Sequence, residues 1–232
     1  MKTQNEYQSG ELAYSQLQEL VHDPDPTPSD TLEEPNPSQS DTEPALPSFD
    51  FAPLQSINSD VVGWIQIEDC GINYPVVQGT DNSYYLKHLF NQTYNSSGCI
   101  FLDYRSSADF SDRNSVIFGH HMKNGTMFSG LDLYKKQAFY EEHPSYQLFT
   151  LQSDFTVEIF AGYVANLWDD AWRVSFADED DFSAWLEERI DKSLIQCNLT
   201  PTVNDRIVTL STCSYEFDNA RFVLFGVIRN AN

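Results

Sequence analysis

The sequence predicts a mainly β fold: a closed or nearly closed barrel of seven to eight short strands, with an N-terminal helix and a long helix before the last strand pair. Three observations carry that expectation. Runs rich in Val, Ile, Phe and Tyr recur between residues 61 and 228, bounded by Gly, Asn, Asp or Pro. In the first half these runs are spaced as hairpins, with turn residues between them. Helical spacing is confined to two or three segments, and no internal repeat is visible.

Taken in order, residues 5–21 place Leu12, Tyr14, Leu17 and Leu20 at roughly helical spacing, but Gly10 makes that helix marginal in isolation. Residues 22–47 are dominated by Pro, Ser, Asp and Glu and cannot bury enough apolar surface to offset their ordering entropy. Residues 1–48 are therefore expected to form an acidic, mobile stalk dispensable for chemistry, and residues 49–232 the folded domain. Phe51, Leu54 and Ile57 mark a short helix. Residues 61–79 read as two strands around a turn at Asp69, Cys70 and Gly71. A helical turn follows at residues 84–86, then a strand over 98–104 with Cys99 in the core. Residues 114–128 form a strand running into a turn, and residues 129–142 fit a helix burying Leu131, Leu133, Tyr134, Phe139 and Tyr140. Strands over 146–150 and 155–164 come next. Residues 178–194 form an amphipathic helix, with acids in the first turn to suit its dipole and Phe182, Trp185, Leu186 and Ile190 on one face. Two apolar strands, 207–213 and 221–228, close the chain.

Composition narrows the function. Thirty-five acidic against thirteen basic residues give a formal charge of −22. Nucleic acid, whose phosphates would be repelled, is excluded as a partner, and docking on an anionic membrane by charge alone is disfavoured. No apolar run approaches the roughly 20 residues that span a bilayer, and polar residues follow Lys2 where a signal peptide needs an apolar stretch. Either the protein is cytosolic or a membrane segment precedes these residues. The cysteines at 70, 99, 197 and 213 form no C-x-x-C pair, a poor pattern for zinc or for a redox couple. No metal or other cofactor is called for. Sequons occur at Asn91, Asn95, Asn124 and Asn198, and a glycan at Asn124 would crowd the histidine pair described next, which disfavours a eukaryotic secretory origin.

Cys213 closes the first of the two final strands and Arg221 opens the second. A thiol rigidly held at a strand end, with a guanidinium on the returning strand, suits acyl transfer: nucleophile and oxyanion partner face one cleft. Such chemistry needs a proton carrier. His22 lies in the stalk, and His88 and His143 are isolated in polar stretches. His120 and His121 end a buried strand, where adjacent side chains point to opposite faces, so one of the two faces Cys213.

These residues carry a resemblance. Thr209-Leu210-Ser211-Thr212-Cys213, followed by Arg221 on an apolar strand, resembles the signature of the sortases. The segment Val116-Ile117-Phe118-Gly119-His120-His121, with Gly125-Thr126-Met127-Phe128 after it, is similar to the histidine segment of class B members. So are Val62-Gly63-Trp64-Ile65, Tyr74-Pro75-Val76-Val77-Gln78-Gly79 and Ile100-Phe101-Leu102-Asp103-Tyr104-Arg105, and the long helix before the last strands is a class B feature. The resemblance covers about residues 50–230. It implies a sortase-type barrel and a membrane-anchored cysteine transpeptidase on the outer face of a Gram-positive cell, the anchor lying outside this sequence. Such enzymes cut a C-terminal sorting motif of a secreted protein between Thr and Gly or Asn. They hold the product as a thioester and pass it to an amine of the cell-wall precursor or of a pilin. By the matching motifs His120 is the general acid/base, Cys213 the nucleophile and Arg221 the oxyanion and substrate clamp. Asn82, Leu86 and Ser211 match groove positions, and Trp172 matches the lid more loosely. Phe118 stands where a tyrosine is common, and Ser214 where some members carry an acid. The alternatives are a cysteine peptidase or thioesterase with water as acceptor, and a catalytically idle surface-binding domain.

Overall fold

The computed structural model describes residues 2–22 and 49–230. Within them the apolar runs become eight strands: β1 (Val61–Ile67), β2 (Ile72–Val77), β3 (Ile100–Leu102), β4 (Asn114–Phe118), β5 (Ser145–Thr150), β6 (Asp154–Ala165), β7 (Ile207–Cys213) and β8 (Arg221–Asn230). They close into a barrel in the order β1-β2-β3-β4-β7-β8-β6-β5, which leaves no sheet edge unpaired. Most neighbours are antiparallel, but β2–β3 and β4–β7 run parallel. Burial follows the neighbours. β5 alternates buried and half-buried residues, whereas β6 is buried without a break from Ile159 to Tyr163. There the outer face is covered by α4 (Glu179–Lys192), whose Phe182, Trp185 and Leu186 pack on Phe160, Ala161 and Tyr163 in a second core outside the barrel.

Four expectations are corrected. The N-terminal stretch is not all stalk: residues 2–22 form α1 (Lys2–His22), which docks on the barrel. Tyr14 and Leu17 are buried, and the Tyr14 hydroxyl donates to the Gly98 carbonyl at 2.5 Å. Gln18 Nε2 donates to Asn73 O at 2.7 Å, and Asn95 Nδ2 to Glu6 O at 2.9 Å. Gly10, unfavourable by propensity, is what permits this contact, since a Cβ there would lie 3.0 Å from Ser97 Oγ. Packing of one face supplies what propensity withholds. The rest of the expected stalk, residues 23–48, lies outside the described residues.

The helix expected over 129–142 is two pieces, a 3₁₀ segment (Phe128–Lys135) and α3 (Gln137–Glu142). Phe128, Leu131 and Tyr134 recur every third residue, a spacing that the three-residue turn of a 3₁₀ helix brings onto one buried face. The strand expected over 98–104 shrinks to β3, because Gly98 takes a left-handed conformation and Asp103 caps the next turn through Arg105 N. On α4, Ile190 is exposed and Arg189 is buried in its place. The short helix expected around residues 51–57 is α2 (Ala52–Ile57). Among the described residues no helix is long and apolar enough to cross a membrane.

Candidate active site

β7 carries Cys213 at its end, opposite Arg221 at the start of β8 in the antiparallel ladder. Directly opposed residues of such a pair project from the same face, and both side chains line one cleft of about 480 Å³. On the other flank of β7, the parallel strand β4 sets Phe118 opposite Ser211. His120, two residues on, lines the same cleft. The intervening Gly119 is stitched to β7 from both sides: its N–H donates to Ser211 O at 3.1 Å, and the Thr212 hydroxyl donates to its carbonyl at 2.8 Å. A Cβ on Gly119 would fall 2.5 Å from Ile100 Cδ1 and 2.6 Å from the Phe128 ring. Only glycine leaves room here for the Ile100 and Phe128 side chains.

The His120 ring is oriented by the 3₁₀ turn Tyr84–Leu86, its Nε2 lying 2.7 Å from Leu86 O. A carbonyl only accepts, so Nε2 carries the proton and Nδ1 is the basic nitrogen of the neutral ring. His121 turns the other way, its Nε2 2.8 Å from Asp132 Oδ2. Arg221 Nη1 donates to Ala220 O at 2.9 Å.

The walls of the cleft are tied together by hydrogen bonds. Trp172 Nε1 donates to Ser211 Oγ at 2.8 Å, fastening the β6–α4 connection to β7. Arg105 grips Asp103 with two bonds, of 2.9 and 2.7 Å, and reaches the Trp172 carbonyl at 3.1 Å. Asn82 Oδ1 accepts from Tyr104 N at 3.1 Å. Burial pushes the Asp103 carboxyl up, but hydrogen bonds from Arg105, the Arg105 charge and the Asn82 side chain outweigh it and hold the group below the usual carboxylate range.

All four cysteines are free. Burial pushes the Cys70 and Cys99 thiols up to about 12 and Cys197 up to about 11. Cys213, half-buried, is the thiol that opens on the cleft.

His120, Cys213, Arg221, Asn82, Leu86, Ser211 and Trp172, each singled out in the sequence, all line this one cleft. Leu167, Phe101 and Thr212 line it as well and were not singled out. Thr212 and Phe101 stood inside quoted motifs but read as strand core. Leu167 belongs to a connection with no motif, where nothing in the sequence marks it.

A thiol, an imidazole and a guanidinium on adjoining strand ends of a closed barrel form the constellation of a cysteine acyltransferase. The sortase-domain family model matches residues 65–228. Sortase B of Staphylococcus aureus is 36% identical over 180 residues, covering 77% of this chain and 74% of the relative. Sortase B of Listeria monocytogenes is 37% identical over 175 residues, covering 75% and 71%. Among solved structures, sortase B from B. anthracis superposes with a TM-score of 0.80 at 30% identity, covering 97% of this chain and 99% of that one. The chain belongs to the sortase B family of cysteine transpeptidases.

Proposed function

We propose that this transpeptidase cuts a C-terminal sorting motif of secreted proteins after its Thr, holds the acyl fragment on Cys213, and transfers it to an amine of the cell-wall precursor or of a pilin. The observation that carries the reading is the ladder register, which sets Cys213 opposite Arg221 on β8 and beside His120 beyond β4. Cys213 passes its proton to His120 Nδ1, the resulting thiolate attacks the Thr carbonyl carbon, and the oxygen takes up the charge facing Arg221. The C–N bond then breaks as His120 gives its proton to the leaving amine, and a thioester remains. An acceptor amine attacks that thioester, His120 takes the proton back, and the Cys213 thiolate departs. Asn82, Leu86, Ser211 and Trp172 supply the walls against which the motif is held. On this reading the enzyme works on the outer face of the cell membrane.

The test is incubation with peptides ending in Thr-Gly or Thr-Asn motifs plus an amine acceptor, read by mass. Cleavage after Thr, an acyl adduct on Cys213 and an amide-linked product are expected. Release of free acid alone would assign water as the acceptor. Absence of an adduct on Cys213 with every peptide overturns the reading.

A further inference from the structure

Behind the cleft lies a polar cluster that the reaction as described does not use. Lys135, near the end of the 3₁₀ segment, places its Nζ 2.7 Å from Asp132 Oδ1, 2.7 Å from Glu216 Oε1 and 2.8 Å from Ser214 Oγ. The Ser214 hydroxyl donates to Glu216 Oε2 at 2.5 Å, and the Ser214 N–H donates to Ala220 O at 2.9 Å. Asp132 holds His121 with its other oxygen. Tyr215 covers the cluster, its ring edge-on to His121 at 5.2 Å between centroids and its hydroxyl 3.4 Å from His121 O. The Lys135 stem brings its ammonium to 5.4 Å from the centre of the Phe222 ring, on the strand that begins with Arg221.

The positions of these residues along the chain give the cluster its meaning. His121 directly follows His120, and Ser214 directly follows Cys213. A path of contacts through Asp132 and Lys135 therefore joins the residue after the imidazole to the residue after the thiol. We propose that Lys135 is a positioning residue for transpeptidation: with Asp132 and Glu216 it tethers the two strand ends to each other and so holds His120 and Cys213 at working separation. The proposal rests on the reading of His120 and Cys213 as the reacting groups. It also accounts for Ser214, a small hydroxyl that lets the acid of the cluster come from Glu216 two residues later. Burial alone would lower the Lys135 ammonium, but the bonds to Asp132 and Glu216 outweigh it and keep the hub charged.

The tether acts on geometry. A misplacement of ~1 Å between reacting groups costs on the order of 10² in rate while leaving remote binding contacts intact. Lys135→Met, which keeps the stem and removes the charge, is expected to lower kcat for sorting-peptide cleavage by about 10- to 100-fold with KM changed less than about threefold. Lys135→Arg, still able to pair both carboxylates, should recover to within about fivefold of wild type. Glu216→Gln, on the exposed connection between β7 and β8, serves as a second variant that keeps the fold and should fall between them. His120→Ala and Cys213→Ala are run in parallel. Activity in either of those two refutes the underlying reading. With both inactive, a kcat within twofold of wild type in Lys135→Met and Glu216→Gln refutes the tether alone, and so does a loss confined to KM.

Discussion

Arg221 separates two roles that charge alone would merge. If it served only to raise the local potential beside Cys213, a lysine ammonium would suffice. A planar fork can instead donate to the developing oxyanion and to a substrate carbonyl together, which a flexible point charge cannot. Arg221→Lys is therefore expected to be nearly as damaging as Arg221→Ala, each costing roughly 10²–10³ in the acylation rate. Single-turnover acylation of Cys213 in the three proteins decides it, and near-normal acylation by the lysine variant would leave charge as the whole role. The neighbouring histidines make a sharper contrast. His120 faces the cleft with Nδ1 free to exchange a proton, whereas His121 faces Asp132. His120→Ala should abolish cleavage. His121→Ala removes one tie of the cluster and should lose no more than about tenfold, as expected for a positioning contact. The reverse pattern, measured under identical conditions, would exchange the two assignments.

Among the elements, α4 does more than cover β6. Asp169, on the connection that carries Leu167 and Trp172 to the cleft, is only 5% exposed. It accepts from the Tyr163 hydroxyl at 2.9 Å, from Ala171 N at 3.0 Å and from Lys192 Nζ at 2.7 Å. Arg189, with no exposed side-chain surface, lies 3.5 Å from Asp169 and 2.8 Å from Asp170, with its guanidinium over the Trp185 ring. A buried carboxylate stripped of its partner costs about 3–5 kcal/mol, but Asp169 keeps Lys192 and Asp170 is half-solvated, so Arg189→Ala should cost less, about 1–3 kcal/mol. Urea unfolding measures that, and a midpoint unchanged from wild type would show the ion pairs idle. The β7–β8 connection carries a pH signature. Partial burial pushes the Glu216 carboxyl up, but hydrogen bonds from Lys135 and Ser214 and the Lys135 charge outweigh it and hold the group at about 2, below its ordinary 4.5. A carboxyl depressed on folding stabilises fully above its unfolded value and loses that contribution as pH falls through the folded one. Glu216→Gln should therefore narrow the stability gap to wild type as pH drops from 5 to 2, read as thermal midpoints. A gap constant over that window would contradict the assignment.

At the scale of the whole molecule, what could be read in advance was what depends on local pattern. The strands around Cys213 and Arg221 were legible because runs such as Phe222-Val223-Leu224-Phe225 fit a fully buried strand. The cleft residues were legible through motifs that keep their order along the chain. Arg189 and Lys135 were not, because Lys135 meets Glu216 from the distant β7–β8 connection and Arg189 meets Asp169 and Asp170 from the connection before α4, and a lone basic residue on a polar stretch reads as a solvated face. Gly10, which weakens the α1 helix by propensity, has a role the sequence did not show: a Cβ there would lie 3.0 Å from Ser97 Oγ on the barrel.

That docking reverses an expectation and yields the last prediction. With α1 taken for stalk, removal of residues 1–47 leaves catalysis untouched. With Tyr14 and Leu17 in the core it does not. Two large side chains leave their packing, each worth roughly 1.5–3 kcal/mol of burial, and Tyr74 loses the ring that meets it edge-on at 5.2 Å. The consequence reaches the cleft by a short path. Tyr14 bonds to Gly98 O, Gly98 packs against the carbonyls of Tyr85 and Leu86, and Leu86 O orients His120. Deleting residues 1–22 should lower the thermal midpoint by several degrees and reduce cleavage by more than the twofold a true stalk allows. It should also uncover Cys99, whose Sγ lies 3.1 Å from the Tyr14 hydroxyl and which is otherwise sealed. Limited labelling with a thiosulfonate, mapped by mass, should mark Cys213 alone in the intact chain and Cys99 as well in the truncated one. If Cys99 stays unlabelled and the midpoint holds, α1 rests on the barrel without supporting it, and the stalk reading returns for residues 1–22.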